Sequence, residues 1–554
     1  MGSGMDSVPP RDSLAALESV PPLAPHTFSD DGWGARQALR PYWLLARVLG
    51  FAAFLVASCV FIDWNREPTR SELDVIAASQ PRKPRPWVPD RSTSNTAFAS
   101  VDLLRIHARL LPAWVMTLQN SPYTIGAYDE ARAFDDLRLE AGKDPNLARL
   151  LVELRDWATL DPSLYGPQLA ELFKGWNGYM EAHGAPYYVA FNIASTAQGG
   201  RLITRSYRVL SDLRVSVGGE MQRTRIVARV DDTNVGELFF GESNSPEEGS
   251  IVVSDRIMDF AIDRLWMLLD PEGDERQMPM DRAFAPYLRS EAALALSEES
   301  LGCLQRGAAV RRSILERLDE LQHRKHCGAG IEVDSLAWDG LSDRGKDIVR
   351  RAAQKNRKKH CQRLTDRDAD FLVGASERLA GSGCLETSLG ELGAWLARAV
   401  AVHEARHSAD DRHAARGERT PTCTGCPTGS GPRTRAEISA YLASMGTQGL
   451  GHVSLFQACG LDTHEGDPNT DALAFVLPRV APLGCTMGPP ADLYSASRSL
   501  ELALYGRSDR IELPPEFPSA LPFPRHRRPA AVLERTGHGA SSSRAAHMPP
   551  RAYL

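Results

Sequence analysis

The run Trp43–Ile62, W-L-L-A-R-V-L-G-F-A-A-F-L-V-A-S-C-V-F-I, holds one charged residue, Arg47. A helix of this length rises about 30 Å, the thickness of a bilayer's hydrocarbon core. Backbone groups in lipid find no water, so a helix is the only form such a run can take there. Trp43 and Trp64 suit the two interfaces, and Arg47 can snorkel toward head groups. A cleaved signal peptide fits poorly, because the run starts late and no small-x-small site follows it. Arg36, Arg40 and Arg47 slightly outweigh Arg66 and Arg70 on the far side. The expected arrangement is a single-pass membrane protein with a cytoplasmic N-terminus and its main part outside.

The cysteines agree with that side. Cys59 lies in the apolar run, and the other eight (Cys303, Cys327, Cys361, Cys384, Cys423, Cys426, Cys459 and Cys485) all follow residue 300. An even set in an oxidising compartment can form up to four disulfides, whose pairing the sequence leaves open. Cys423 and Cys426 form C-T-G-C with no second C-x-x-C for a zinc ribbon and no thioredoxin-like setting. A small local disulfide loop is expected there.

Hydrophobic content of 43% and charged content of 24% describe a folded protein, and a net charge of −6 excludes a general nucleic-acid binder. The one strong basic run, Arg350–Arg363, has no interleaved aromatics and reads as a solvated helix face.

In order, residues 1–42 read as a disordered tail and 63–97 as a proline-rich linker containing P-R-K-P-R-P-W-V-P. Residues 98–290 form an α+β region of unknown role. Helical periodicity to about His183 breaks at Asn120-Ser121-Pro122 and Asp161-Pro162. Strands follow at Tyr187–Ser195, Leu202–Val217, Arg223–Val230 and Val235–Phe240, with turn signals at Gly218-Gly219 and Asp231-Asp232. They predict a small, mainly antiparallel sheet, then a helix from Ser254. Residues 291–512 are mainly helical and 513–554 form a second tail. The fold class is α+β, membrane-anchored.

Chemistry concentrates at Ala401–Asp411, A-V-H-E-A-R-H-S-A-D-D. His403, Glu404 and His407 make H-E-x-x-H, which on a helix puts both imidazoles on one face and an acid beside them. Ser388-x-x-Glu391 reads as a capping box opening the stripe Leu389, Leu392, Leu396, Val400, which the histidines continue inward. A catalytic zinc ion, Zn2+, needs a third protein ligand, and Glu437 and His413 are the candidates. Thr434-x-x-Glu437 is itself a capping box, which would occupy that glutamate. Asp410 in place of glycine weakens the turn that His413 would need.

H-E-x-x-H followed by a helix carrying Glu437, Ala440 and Tyr441 resembles the gluzincin type of zinc metallopeptidase over residues 385–450. The resemblance implies a zincin-like helical domain, ligands His403, His407 and Glu437, Glu404 as general base, and a peptide or protein substrate. Tyr441 stands where that type has an aspartate one turn after the ligand glutamate, so Asp410 or Asp411 is left to orient an imidazole. Tyr441 and His452 are the candidate oxyanion donors.

Overall fold

Helices, two of them opened by proline, build the described chain up to the sheet. The computed structural model describes residues 85–534, except 91–94, 119–129, 161, 197–198, 232–239, 244–247, 277, 324–330, 334–335, 357–363, 417–422, 428–429, 461–466 and 524–531. The expected membrane run 43–62, the N-terminal tail, Val235–Phe239, Cys327 and Cys361 therefore lie outside the described residues. Of the expected C-terminal tail, 513–523 and 532–534 are described, and Phe517 and Leu521 are buried in the core rather than solvated. Among those described, no helix is long and apolar enough to cross a membrane.

Helices α1 (Leu111–Leu118), α2 (Glu130–Ala141), α3 (Pro145–Ala158) and α4 (Pro162–Ala182) surround one apolar core. Asp144 caps α3, accepting from the amides of Asn146 and Leu147, while Pro145 occupies the first helical position. Leu147, Leu150, Leu151 and Leu154 fall on the buried face at helical spacing, each contributing about 2 kcal/mol of burial. Tyr179 on α4 donates to the cap carboxylate at 3.0 Å, tying the two helices.

A π turn at Ile106–Leu110 carries His107 into this core. Its ring stacks on Tyr187 at 4.6 Å and meets Trp176 edge-on, and neither ring nitrogen has a hydrogen-bond partner. Burial alone lowers its pKa from 6.5 to about 3. Between those values the unfolded chain binds a proton that the folded one refuses, so stability falls as pH drops through that window. His107→Phe keeps the aromatic stack and should flatten this loss. Urea titrations of both proteins at pH 7 and pH 4 check it, and equal pH dependence would contradict it.

The sheet follows as β1 (Tyr187–Thr196), β2 (Gly199–Val217), β3 (Glu220–Arg229), β4 (Gly241–Ser243) and β5 (Ser250–Val253), in the order β1-β2-β3-β5-β4. All pairs are antiparallel except β3 with β5. Gly218 and Gly219 take φ of 59° and 89° in the β2–β3 turn, as their sequence predicts. β2 also pairs with β6 (Ile511–Glu512), from the far end of the chain.

Among the described residues, ten α-helices come between the sheet and that strand, the first nine being α5 (Ser254–Phe260), α6 (Pro279–Ala295), α7 (Glu298–His323), α8 (Asp343–Asn356), α9 (Asp366–Ala380), α10 (Leu385–Ala415), α11 (Pro432–Met445), α12 (Gly451–Cys459) and α13 (Pro468–Val480). They are joined by α14 (Leu493–Tyr505). The mixed α and β content matches the expected class. One apolar core runs from Leu213 on β2 to Leu521, with α10 through its middle. Val215 and Val217 pack on Ala405 and Ala409 of α10, where small side chains let helix and sheet approach. Gly393 likewise lets α10 approach α5, since a Cβ there would overlap the Met258 sulfur.

Disulfides join Cys303 to Cys384, Cys459 to Cys485, and Cys423 to Cys426 as the expected local loop. The Ser388 capping box does not form. Helix α10 begins one turn earlier, so the Ser388 hydroxyl donates to the Cys384 carbonyl, and Glu391 accepts from Ser297 instead.

Candidate metal centre

Helix α10 is 31 residues long, and its N-terminal half is fixed by burial of Leu389, Leu392, Trp395 and Leu396. The indole of Trp395 donates to the Gly449 carbonyl at 3.0 Å. That phasing leaves His403 and His407, one turn apart, facing α11, with Nε2 atoms 3.1 Å from each other. Glu437 on α11 places Oε2 3.4 Å from each of those nitrogens. The three donor atoms lie within 4.8 Å of one another. Their side chains are 12–19% exposed.

Glu437 is free to serve because α11 starts at Pro432 with Gly431 as its cap. Proline at the first helical position sets the start, which leaves Thr434 inside the helix and its capping box unmade. Oε2 of Glu437 is buried without a hydrogen bond among the described residues. Two imidazole nitrogens and a carboxylate oxygen converging on one point form a donor set that suits a divalent cation.

Each site residue has a distinct electrostatic state. Burial favours neutral His403, whose pKa is lowered despite Glu437. Burial opposes charge on His407 too, but Glu437, Glu404 and Asp410 outweigh it and raise the imidazole to about 9. Burial would raise the Glu437 carboxyl, but the two imidazoles beside it hold it well below the usual range. Glu404 is 7% exposed, and burial pushes it up to about 8. His407 pulls that value down while Glu437 and Glu242 push it further up.

A cation binding here competes with the His407 proton, so affinity should rise with pH until about 9. Zinc titrations at pH 7 in buffers of different ionisation enthalpy should therefore show at least one proton released per ion. Binding without proton release would contradict the assignment.

Glu404 lies under the sheet edge. Gly241 of β4 sits so close that a Cβ on it would come within 2.6 Å of the Glu404 Cγ. Ser243, two residues on, has its hydroxyl 3.3 Å from that of Ser408 and donates to Asp411 at 3.5 Å.

The other candidates have different places. Tyr441 packs its ring edge-on against His403 at 4.9 Å and donates its hydroxyl to Asn469 Oδ1 at 3.0 Å. His452 turns its ring nitrogens to Glu291, at 2.9 Å, and to the Pro490 carbonyl. His413 stays on α10, which runs on to Ala415 without the turn a third histidine would need, and it is outside the donor cluster. Asp410 pairs with Arg406 and, at 2.8 Å, with Arg507.

Sequence reasoning missed Gly241 over Glu404, Asn469 under Tyr441, and the complete burial of Arg406. Only Arg406 had a signal: it lies inside H-E-x-x-H, one position before His407, on a helix otherwise buried there. No family model, no curated protein and no solved structure matches the chain.

Proposed function

We propose that the protein is a zinc-dependent hydrolase, most plainly a metallopeptidase. The observation that carries this reading is the convergence of His403, His407 and Glu437 with Glu404 on the same helix turn. Two histidines and a glutamate are a recurrent zinc set that leaves a position open. Zinc held there would supply a Lewis acid and bring the pKa of coordinated water to about 7.

The chain's own residues supply the rest. Glu404, on the same helix turn as both histidines, would take a proton from the attacking water and return it to the leaving amine once a bound cation's charge has ionised its carboxyl. Tyr441 packs beside His403 and steadies that ring. The β4 edge, paired on one side by β5, offers backbone groups beside Glu404 for an extended peptide. The disulfides favour an oxidising compartment, and the run 43–62 favours a membrane tether, so the active part is assigned to the extracytoplasmic side.

A purely structural metal site is the second reading, favoured by the close cover of Gly241 over Glu404. Cleavage of a peptide library with and without chelator separates the two. Chelator-sensitive cleavage supports the hydrolase, and a metal-loaded protein that cleaves nothing supports the structural site.

A further inference from the structure

Arg406 is the one fully buried arginine on α10, and its guanidinium joins three parts of the fold. Nε donates to Ser439 Oγ on α11 at 2.7 Å. The remaining nitrogens meet Glu501 of α14 at 3.3 Å and Asp509 of the following segment, with Asp410 3.6 Å from Nε. Ser508 and Arg507 close the group by bonding Glu501 and Asp410.

Stability alone does not call for such a cluster. Buried ion groups are often matched or exceeded by apolar packing of the same volume, and their best-attested use is to specify register. Register is what the metal centre needs. Its ligands come from two helices, and a slide of one residue moves a side chain about 1.5 Å along the axis and turns it about 100°. Metal–ligand bonds tolerate about 0.2 Å. Arg406 stands one residue before His407, and Ser439 two residues after Glu437, so their bond lies beside the ligands.

We infer that Arg406 is a positioning residue of the metal centre: its bond to Ser439, braced by Glu501 and Asp509, fixes α10 against α11 so that Glu437 meets the two histidines. This rests on the metal reading above. It makes residues 501–509, nearly a hundred positions from the motif, part of the site's support.

Removing Arg406 would take the guanidinium away from buried Glu501 and leave Asp410 and Asp509 with Arg507, which endangers folding, so Ser439 is the better probe. Zinc affinity, measured by competition with a chromophoric chelator, should fall about tenfold in Ser439→Ala. The visible spectrum of the cobalt-substituted variant should shift, the metal-free melting temperature should stay near wild type, and Ser439→Thr should restore affinity by keeping the hydroxyl. Wild-type affinity in Ser439→Ala would overturn the inference. So would a loss that merely follows unfolding and that threonine does not reverse. A wild-type protein that binds no zinc would overturn the metal site itself.

Discussion

Glu404→Gln should keep its metal and lose hydrolysis by about 10²–10⁴-fold in kcat/KM. The carboxamide has the size of the carboxyl group, so it fits beneath Gly241, where any larger group would collide. Burial already holds Glu404 near pH 8, so glutamine imitates the protonated form that the metal-free fold carries at neutral pH. The variant should therefore melt close to wild type. What it lacks is the ability to accept a proton, the role assigned to this residue. Metal content and kcat/KM measured on one preparation check both halves. Undiminished turnover would remove Glu404 from the mechanism.

The second large effect belongs to Glu437. Glu437→Ala should weaken zinc binding by more than the roughly 100-fold that outer groups govern, because it removes a donor and not a support. It should also change the histidines. His407 is held at about 9 mainly against burial by the Glu437 carboxylate, so without it the imidazole should titrate lower. Histidine NMR titration of the metal-free variant reads that directly.

The linkage has a definite sign. His407, raised from 6.5, stabilises the metal-free fold fully below about 6.5 and loses that contribution as pH rises through about 9. Glu437, lowered from 4.5, contributes above about 4.5 and loses it on acidification below that. The pair thus supports the metal-free protein best between about pH 4.5 and 6.5, and Glu437→Ala should cost most stability in that window. Equal destabilisation at pH 5.5 and pH 9 would contradict the pairing.

Local chemistry was the legible part of this chain. The H-E-x-x-H phasing, the strands from Tyr187 to Arg229, the Gly218-Gly219 turn and the helix start at Ser254 all follow from patterns within a few residues. Capping boxes were overread. Pro432 and the longer α10 decided where those helices begin, and Thr434 and Ser388 were left inside them. Long-range partners left no trace in the sequence. Nothing in Ile511–Glu512 announces that it joins β2 almost 300 residues earlier, and nothing near Cys303 names Cys384. The site divides the same way: spacing placed the two histidines and Glu404, and the gluzincin-like pattern put Glu437 ahead of His413, whereas that Glu437 is not spent on a helix cap depended on where α11 begins.

Metal analysis of the purified protein, beside His403→Ala, tests the central claim most directly. One zinc per chain in wild type, lost on removing that single imidazole while the fold persists, is the predicted result. A wild-type protein without stoichiometric metal, or one whose metal is indifferent to His403, would contradict it.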